Sequence, residues 1–181
     1  DQLERNLKRQ KWLDPSTVDL VSNHSWLGIR RSEFITAAAA LMHPIMGPKN
    51  PVAYSKANIY STVANMKYVE TSAAIADLFI DRFDPSDPLS DSDMESRAEA
   101  IRKKIEKHVV DRQAHELLNK MVDIVAHTLR TNMFMEDRYA LGFRLSPALM
   151  EDEGDTPFGI FFVHGRRFNG YHVRFRDIAR G

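Results

Sequence analysis

The sequence predicts an α+β fold: a helical first part followed by an incomplete, mostly antiparallel β-sheet at the C-terminal end. Three observations carry that prediction. Up to about residue 138 apolar residues recur every three or four positions, the period of a helix with one buried face. From Tyr139 the period falls to two, with Tyr139, Leu141, Phe143 and Leu145 alternating with Ala140, Gly142 and Arg144. The strand-like stretches are then few and rich in Phe and Tyr, so they must pack on the helices or on another chain.

Taken in order, residues 1–12 read as the tail of a helix that Asp14-Pro15 closes, and residues 22–31 read as a connector. Ser32 is placed to cap a helix running to about Met42, with Phe34, Ala38, Leu41 and Ile45 on one face. Three prolines and a glycine make residues 44–51 a loop. Ser55 caps the next helix, with Ile59, Val63 and Met66 inward. A helix over about 69–82 follows and ends at Arg82-Phe83-Asp84-Pro85, because proline disfavours helix at the residue before it. Residues 85–93 are an exposed, Ser/Asp/Pro-rich loop.

The helix after it begins with Asp91, Asp93 and Glu95 and ends with Arg102, Lys103, Lys104 and Lys107, a polarity that complements the helix dipole. Met94, Ala98, Ile101 and Ile105 form its narrow apolar stripe, which should pack against a helix over about 111–130 as a hairpin. Residues 158–163 form a nearly continuous apolar strand, residues 165–170 a turn, and Tyr171, Val173 and Phe175 alternate with His172, Arg174 and Arg176. Those last two strands should pair. The expected division is 1–31, a helix end and connector; 32–138, a helical segment; and 139–181, the first strands of a further domain.

Composition narrows the function classes. Lys plus Arg and Asp plus Glu both number 25, so no net charge draws the chain to nucleic acid or an anionic membrane. The absence of cysteine excludes disulfides, thiolate nucleophiles and cysteine-held metal, and fits a reducing compartment. No apolar run approaches the ~20 residues of a membrane span, and the charged start is not a secretory signal. Both ends read as cut from something longer.

Candidate chemistry is sparse. No Gly-x-Gly occurs, so there is no dinucleotide fingerprint and no phosphate loop. His115-Glu116-Leu117-Leu118-Asn119 misses the helical zinc motif because asparagine stands where the second histidine belongs. His172 reads as a polar-face strand residue. Arg166, Arg167, Arg174, Arg176 and Arg180 lie among Phe161, Phe168, Tyr171 and Phe175, a mixture that can bind single-stranded nucleic acid. Alternation sets Tyr171 and Phe175 opposite Arg174 and Arg176, however, so the aromatics are expected to face the core and the arginines solvent.

Three stretches carry a family resemblance. They are Leu78-Phe79-Ile80-Asp81-Arg82-Phe83-Asp84-Pro85; Thr128-Leu129-Arg130-Thr131-Asn132 with Tyr139-Ala140-Leu141-Gly142-Phe143-Arg144-Leu145-Ser146-Pro147; and Pro157-Phe158-Gly159-Ile160-Phe161-Phe162-Val163 with Phe168-Asn169-Gly170-Tyr171-His172-Val173-Arg174-Phe175-Arg176-Asp177-Ile178-Ala179-Arg180-Gly181. Together they resemble the large-subunit NAD-specific glutamate dehydrogenases, most of all the eukaryotic branch, from about residue 76 to residue 181 and back to about 33. The resemblance implies an internal segment of an enzyme that converts L-glutamate, NAD and water to 2-oxoglutarate, ammonia and NADH. It implies a homo-oligomer in the mitochondrion or cytoplasm, not secreted, with no membrane or nucleic-acid partner.

The segment would brace the catalytic core, begin the glutamate-binding domain, bind no NAD itself and be inactive alone. The family's catalytic lysines and aspartate have no matching positions here, so no catalytic, cofactor or metal residue is assigned. Gly170-Tyr171-His172-Val173 is similar to the strand that precedes a substrate-contacting Lys-Gly in small-subunit glutamate dehydrogenases. Arg180-Gly181 falls on that Lys-Gly, which makes Arg180 the candidate substrate-binding residue, although the loop lengths differ. The alternative is a non-catalytic binding module that uses the arginine and aromatic hairpin, for nucleic acid.

Overall fold

The computed structural model describes residues 12–153 and 157–175. Asp14-Pro15 starts a helix, and the helix tail expected before it, residues 1–11, lies outside the described residues. Asp14 accepts a hydrogen bond from Ser16 N at 2.9 Å, and Pro15 occupies the first turn, where its missing N–H costs nothing. The result is α1, Pro15–Asn23. A short 3-10 turn, Ser25–Leu27, leads to Gly28, whose φ of 67° lets the chain swing directly into α2, Gly28–Met46. The expected connector is therefore largely helical. Ser32 does not cap α2; it lies in the first turns and donates back to Gly28 O. Pro44 does not stop the helix: it gives up one backbone hydrogen bond, and burial of Ile45 and Met46 holds the last turn.

α2 is buried on nearly every side and is the post around which most of the other helices pack. Its Thr36 hydroxyl meets that of Thr17 at 2.7 Å, fixing α1 to it. Ser55 caps α3, Lys56–Val63, as its sequence position requires. Ile59 and Val63 are buried, but Met66 is 84% exposed, because the helix ends before it. α4, Val69–Phe83, is tied to the end of α3 by Ser72 Oγ donating to Val63 O. α5, Asp91–His108, is capped by Ser90 and buries Met94, Ala98, Ile101 and Ile105. α6, Arg112–His127, is capped by Asp111 and packs against α5 as a hairpin. Arg102 crosses between them to Asp123 at 2.6 Å.

α6 stops three residues short of the expected end at about 130: Thr128 turns to extended geometry, its hydroxyl donating to Ile124 O. β1, Thr128–Thr131, follows with no intervening residue. The sheet then continues as a meander of β2, Leu141–Leu145, β3, Gly159–His164, and β4, Asn169–Arg174, in the order β1-β2-β3-β4, all antiparallel. β1 is the strand that helical periodicity concealed. The β3–β4 turn depends on Gly165, where a Cβ would lie 2.8 Å from that of Ala140.

The register puts Leu141, Phe143, Leu145, Ile160, Phe162 and His164 on the inner face, all buried. Tyr139 breaks the alternation, lying outside β2 and meeting Trp12 edge-on. Phe34 of α2 stacks on Phe79 of α4 at 4.5 Å between ring centres; Phe79 reaches Phe143 at 5.4 Å; Phe143 stacks on Phe162 at 6.1 Å. These rings join helices and sheet in one continuous core.

Truncating Phe79 or Phe143 to alanine should therefore cost about 3–5 kcal/mol. Phe161→Ala, on the outward face, should cost less than about 1 kcal/mol. Urea midpoints of the three variants at constant m-value provide the measurement; equal losses in all three would contradict the assignment of faces.

Candidate functional site

Two of the three singled-out stretches converge where helices become sheet. Arg82, at the end of α4, donates through Nη1 to Val125 O and, at 3.0 Å, to Ala126 O. Those carbonyls lie in the last turn of α6, where Val125 O also accepts from the amide of Thr128, so the guanidinium reinforces the helix end and complements the dipole. Burial pulls the Arg82 pKa down, with Asp91 partly opposing. Asp84 then turns the chain by accepting from the amide of Ser86 at 2.9 Å and its hydroxyl at 2.6 Å. On the far side of the junction Asn132 bridges to β2. Its Nδ2 donates to Ala140 O at 3.0 Å and its Oδ1 accepts from Gly142 N at 2.7 Å. Ser146 N closes the junction on His127 O at 2.7 Å.

The third stretch is the β3–β4 hairpin. Tyr171 lies on the inner face opposite Phe162 and donates to Met150 Sδ at 2.8 Å. His172 points outward opposite Phe161, ring to ring at 6.4 Å. Arg174 is outward and exposed, and Arg176 and Arg180 lie outside the described residues. Phe161 departs from the expectation that the aromatics face the core: it stands outward beside Arg144, whose guanidinium carbon lies 6.0 Å from the ring centre. Phe175 is also exposed, whereas Tyr171 packs on the core, so the aromatic side chains are divided between the faces.

A buried polar cluster that sequence reasoning missed lies where β3 meets α1 and α2. Arg138 donates to Glu33 at 2.7 Å, with both side chains under a tenth exposed. Beside them His164 is buried, and neither ring nitrogen has hydrogen-bond geometry to a partner among the described residues. Burial lowers its pKa; Asp14, Asn169 and Glu33 pull weakly the other way. No local pattern announces a pair 105 residues apart.

The helical stretch that came near a zinc motif is committed elsewhere. His115 Nε2 lies 2.9 Å from Glu106, and Asn119 Nδ2 donates to His115 O at 3.0 Å. Glu116 accepts from Tyr54 and, at 2.9 Å, from Arg112, which keeps its carboxyl below the usual range. The Tyr54 phenol is pushed up to about 12 by burial and by Glu116. These contacts fasten α6 to the loop before α3, beside an open groove of about 840 Å³.

No family model matches the chain, and no solved structure does. A stretch of 56 residues is 52% identical to the NAD-specific glutamate dehydrogenase of Saccharomyces cerevisiae. Over part of its length the chain is similar to NAD-specific glutamate dehydrogenases. That match covers 29% of this chain and 5% of the yeast protein. Glutamate dehydrogenase 2 of Dictyostelium discoideum is 37% identical over 79 residues, 42% of this chain and 8% of that protein. A probable NAD-specific glutamate dehydrogenase of Schizosaccharomyces pombe is 31% identical over 86 residues, 46% and 8% respectively. The chain thus corresponds to a small fraction of these glutamate dehydrogenases. Among the described residues no helix is long and apolar enough to cross a membrane.

Two outcomes follow for the buried cluster. Glu33→Gln should destabilise the chain by about 3–5 kcal/mol, because it leaves the Arg138 charge buried and uncompensated. His164 has a folded pKa below its ordinary 6.5, so between the two values the unfolded state holds the extra proton. Its contribution is intact above pH 6.5 and is lost as pH falls through the folded value, by up to ~1.4 kcal/mol per pH unit. Urea denaturation across pH 4–8 should show that acid-side loss in the parent chain and a shallower one in His164→Leu; matching slopes would refute the role of His164.

Proposed function

We propose that this chain is a segment of an NAD-dependent glutamate dehydrogenase that braces the catalytic core and begins the glutamate-binding domain. The intact enzyme would convert L-glutamate, NAD and water to 2-oxoglutarate, ammonia and NADH, acting as a homo-oligomer. The observation that carries this reading is the 52% identity to the yeast enzyme over 56 residues. The geometry supports the bracing role: Arg82 and Asn132 spend their hydrogen bonds on backbone at the helix-to-sheet junction, which holds β1 and β2 at a fixed angle to α6.

The described residues do not suit NAD. A dinucleotide is ordinarily held at the start of a helix in a strand–helix–strand unit with a glycine-rich turn. Here the sheet is an antiparallel meander without a crossover helix, and the sequence has no Gly-x-Gly. On this reading cofactor binding belongs to another part of the intact enzyme, and no chemical step is assigned to this chain. Arg180 is the residue proposed to hold a carboxylate of glutamate. Arginine suits that task because its planar fork gives two parallel hydrogen bonds, and the adjacent Gly181 allows close approach.

The full-length enzyme should form NADH from glutamate, while the 181-residue chain should show no saturable micromolar NAD binding by calorimetry. Arg180→Ala in the full-length enzyme should lower kcat/KM for glutamate tenfold to a thousandfold, about 1.4–4 kcal/mol of transition-state stabilisation, and leave KM for NAD nearly unchanged. Unchanged glutamate kinetics would show that Arg180 does not touch substrate.

A further inference from the structure

The outward face of the sheet has an unusual charge balance. The four strands contain no Asp or Glu, yet Arg130, Arg144 and Arg174 all point outward with His172. Arg130 and Arg144 are register partners, directly opposite one another across β1 and β2. Like charges in that position destabilise a sheet. Among the described residues none of the three guanidinium groups has a carboxylate partner; Arg144 lies over Phe161, and Arg174 lies 5.9 Å from the Phe158 ring centre. Both rings are substantially exposed, Phe158 at 63% and Phe161 at 43%.

The surroundings are shallow. Gly142, Gly159 and Gly170 share this face, and a Cβ at Gly170 would meet nothing within 4 Å. The helices pack on the inner face, whose residues are buried. What remains outward is a patch with an aromatic centre, guanidinium groups around it and, among the described residues, no countercharge.

We propose that this face is the docking surface for a carboxylate-bearing surface from elsewhere in the same polypeptide, paired to Arg144 and Arg174 and packed on Phe161. Guanidinium groups take carboxylates in parallel pairs of hydrogen bonds, and an aromatic beside them excludes water from the pair. The occupant belongs to the same polypeptide on the reading given above, in which this chain is a small part of an enzyme like its relatives, of which it matches 5–8%. Single-stranded nucleic acid fits less well. A stacking platform presents aromatic faces in parallel, and here Phe161 and His172 meet edge-on, on a chain of zero net charge that gives no long-range steering.

Hydroxyl-radical footprinting of Phe161, in the 181-residue chain and in the full-length polypeptide, is the test. Labelling should be at least fivefold slower in the full-length polypeptide, and R144E combined with R174E there should restore it. Phe143 on the inner face should stay protected throughout, showing that the variants fold. In full-length R144K, a carbodiimide should couple the new amine to an Asp or Glu outside residues 1–181. Equal labelling of Phe161 in both proteins, or protection that persists in the double charge reversal, would overturn the proposal. So would protection that appears only on adding a single-stranded oligonucleotide. Glutamate-dependent NADH formation by the same full-length polypeptide tests the enzyme reading separately: without that activity, protection with a carboxylate cross-link would still uphold the docking surface.

Discussion

The contact on which the rest of the structure depends is the run of rings Phe34, Phe79, Phe143 and Phe162. Each belongs to a different element, so the run crosses from α2 through α4 to two adjacent strands. A four-stranded meander has little stability of its own, and helices of eight to nineteen residues need an apolar partner to persist in water. The rings meet both needs at once. Large flat side chains remove much apolar area from water for few rotatable bonds, and their stacked and edge-on geometries fix how sheet and helices are oriented.

Around that centre the polar interactions are arranged to close helix ends and strand edges rather than to form a reactive cluster. Arg82 closes α6, Asn132 ties β1 to β2, and Glu33 neutralises Arg138 where the sheet meets α2. The buried pair contributes less to net stability than its short distance suggests, since both charges lose their hydration; what it does enforce is a single arrangement, because any other leaves a naked charge inside.

Much of the fold was legible in the sequence where local chemistry decides the outcome. Ser55 caps the helix that follows it, and the stripe Met94, Ala98, Ile101, Ile105 is buried as its spacing requires. Local rules failed where they are ambiguous or where tertiary packing overrides them. Pro15 is equally a helix breaker and a good first-turn residue, and the capping bond from Asp14 decides between the two. Pro44 favours a stop, but burial of Ile45 and Met46 holds the last turn in place. Thr128–Thr131 continues a helical apolar period and becomes a strand because β2 offers it a partner. For the site, the sequence singled out Arg82 and Asn132 through their motifs without revealing what they bind, since backbone acceptors leave no trace in residue identity. Glu33, Arg138 and His164 were missed because three separated elements bring them together. The outward position of Phe161 needed the strand register, which the nearly continuous apolar run of residues 158–163 does not specify.

The direct passage from His127 of α6 to Thr128 of β1 has a mechanical consequence. A loop between two elements absorbs rotation of one relative to the other; here there is none. With Arg82 gripping the last turn of the helix and Ser146 bonded to His127, a twist of α6 about its axis must be delivered to the edge strand as torque and spread through the meander. Helix and sheet therefore move as a crank and its arm, and a force applied at the far end of α6, near Tyr54 and Glu116, reaches β1 without slack.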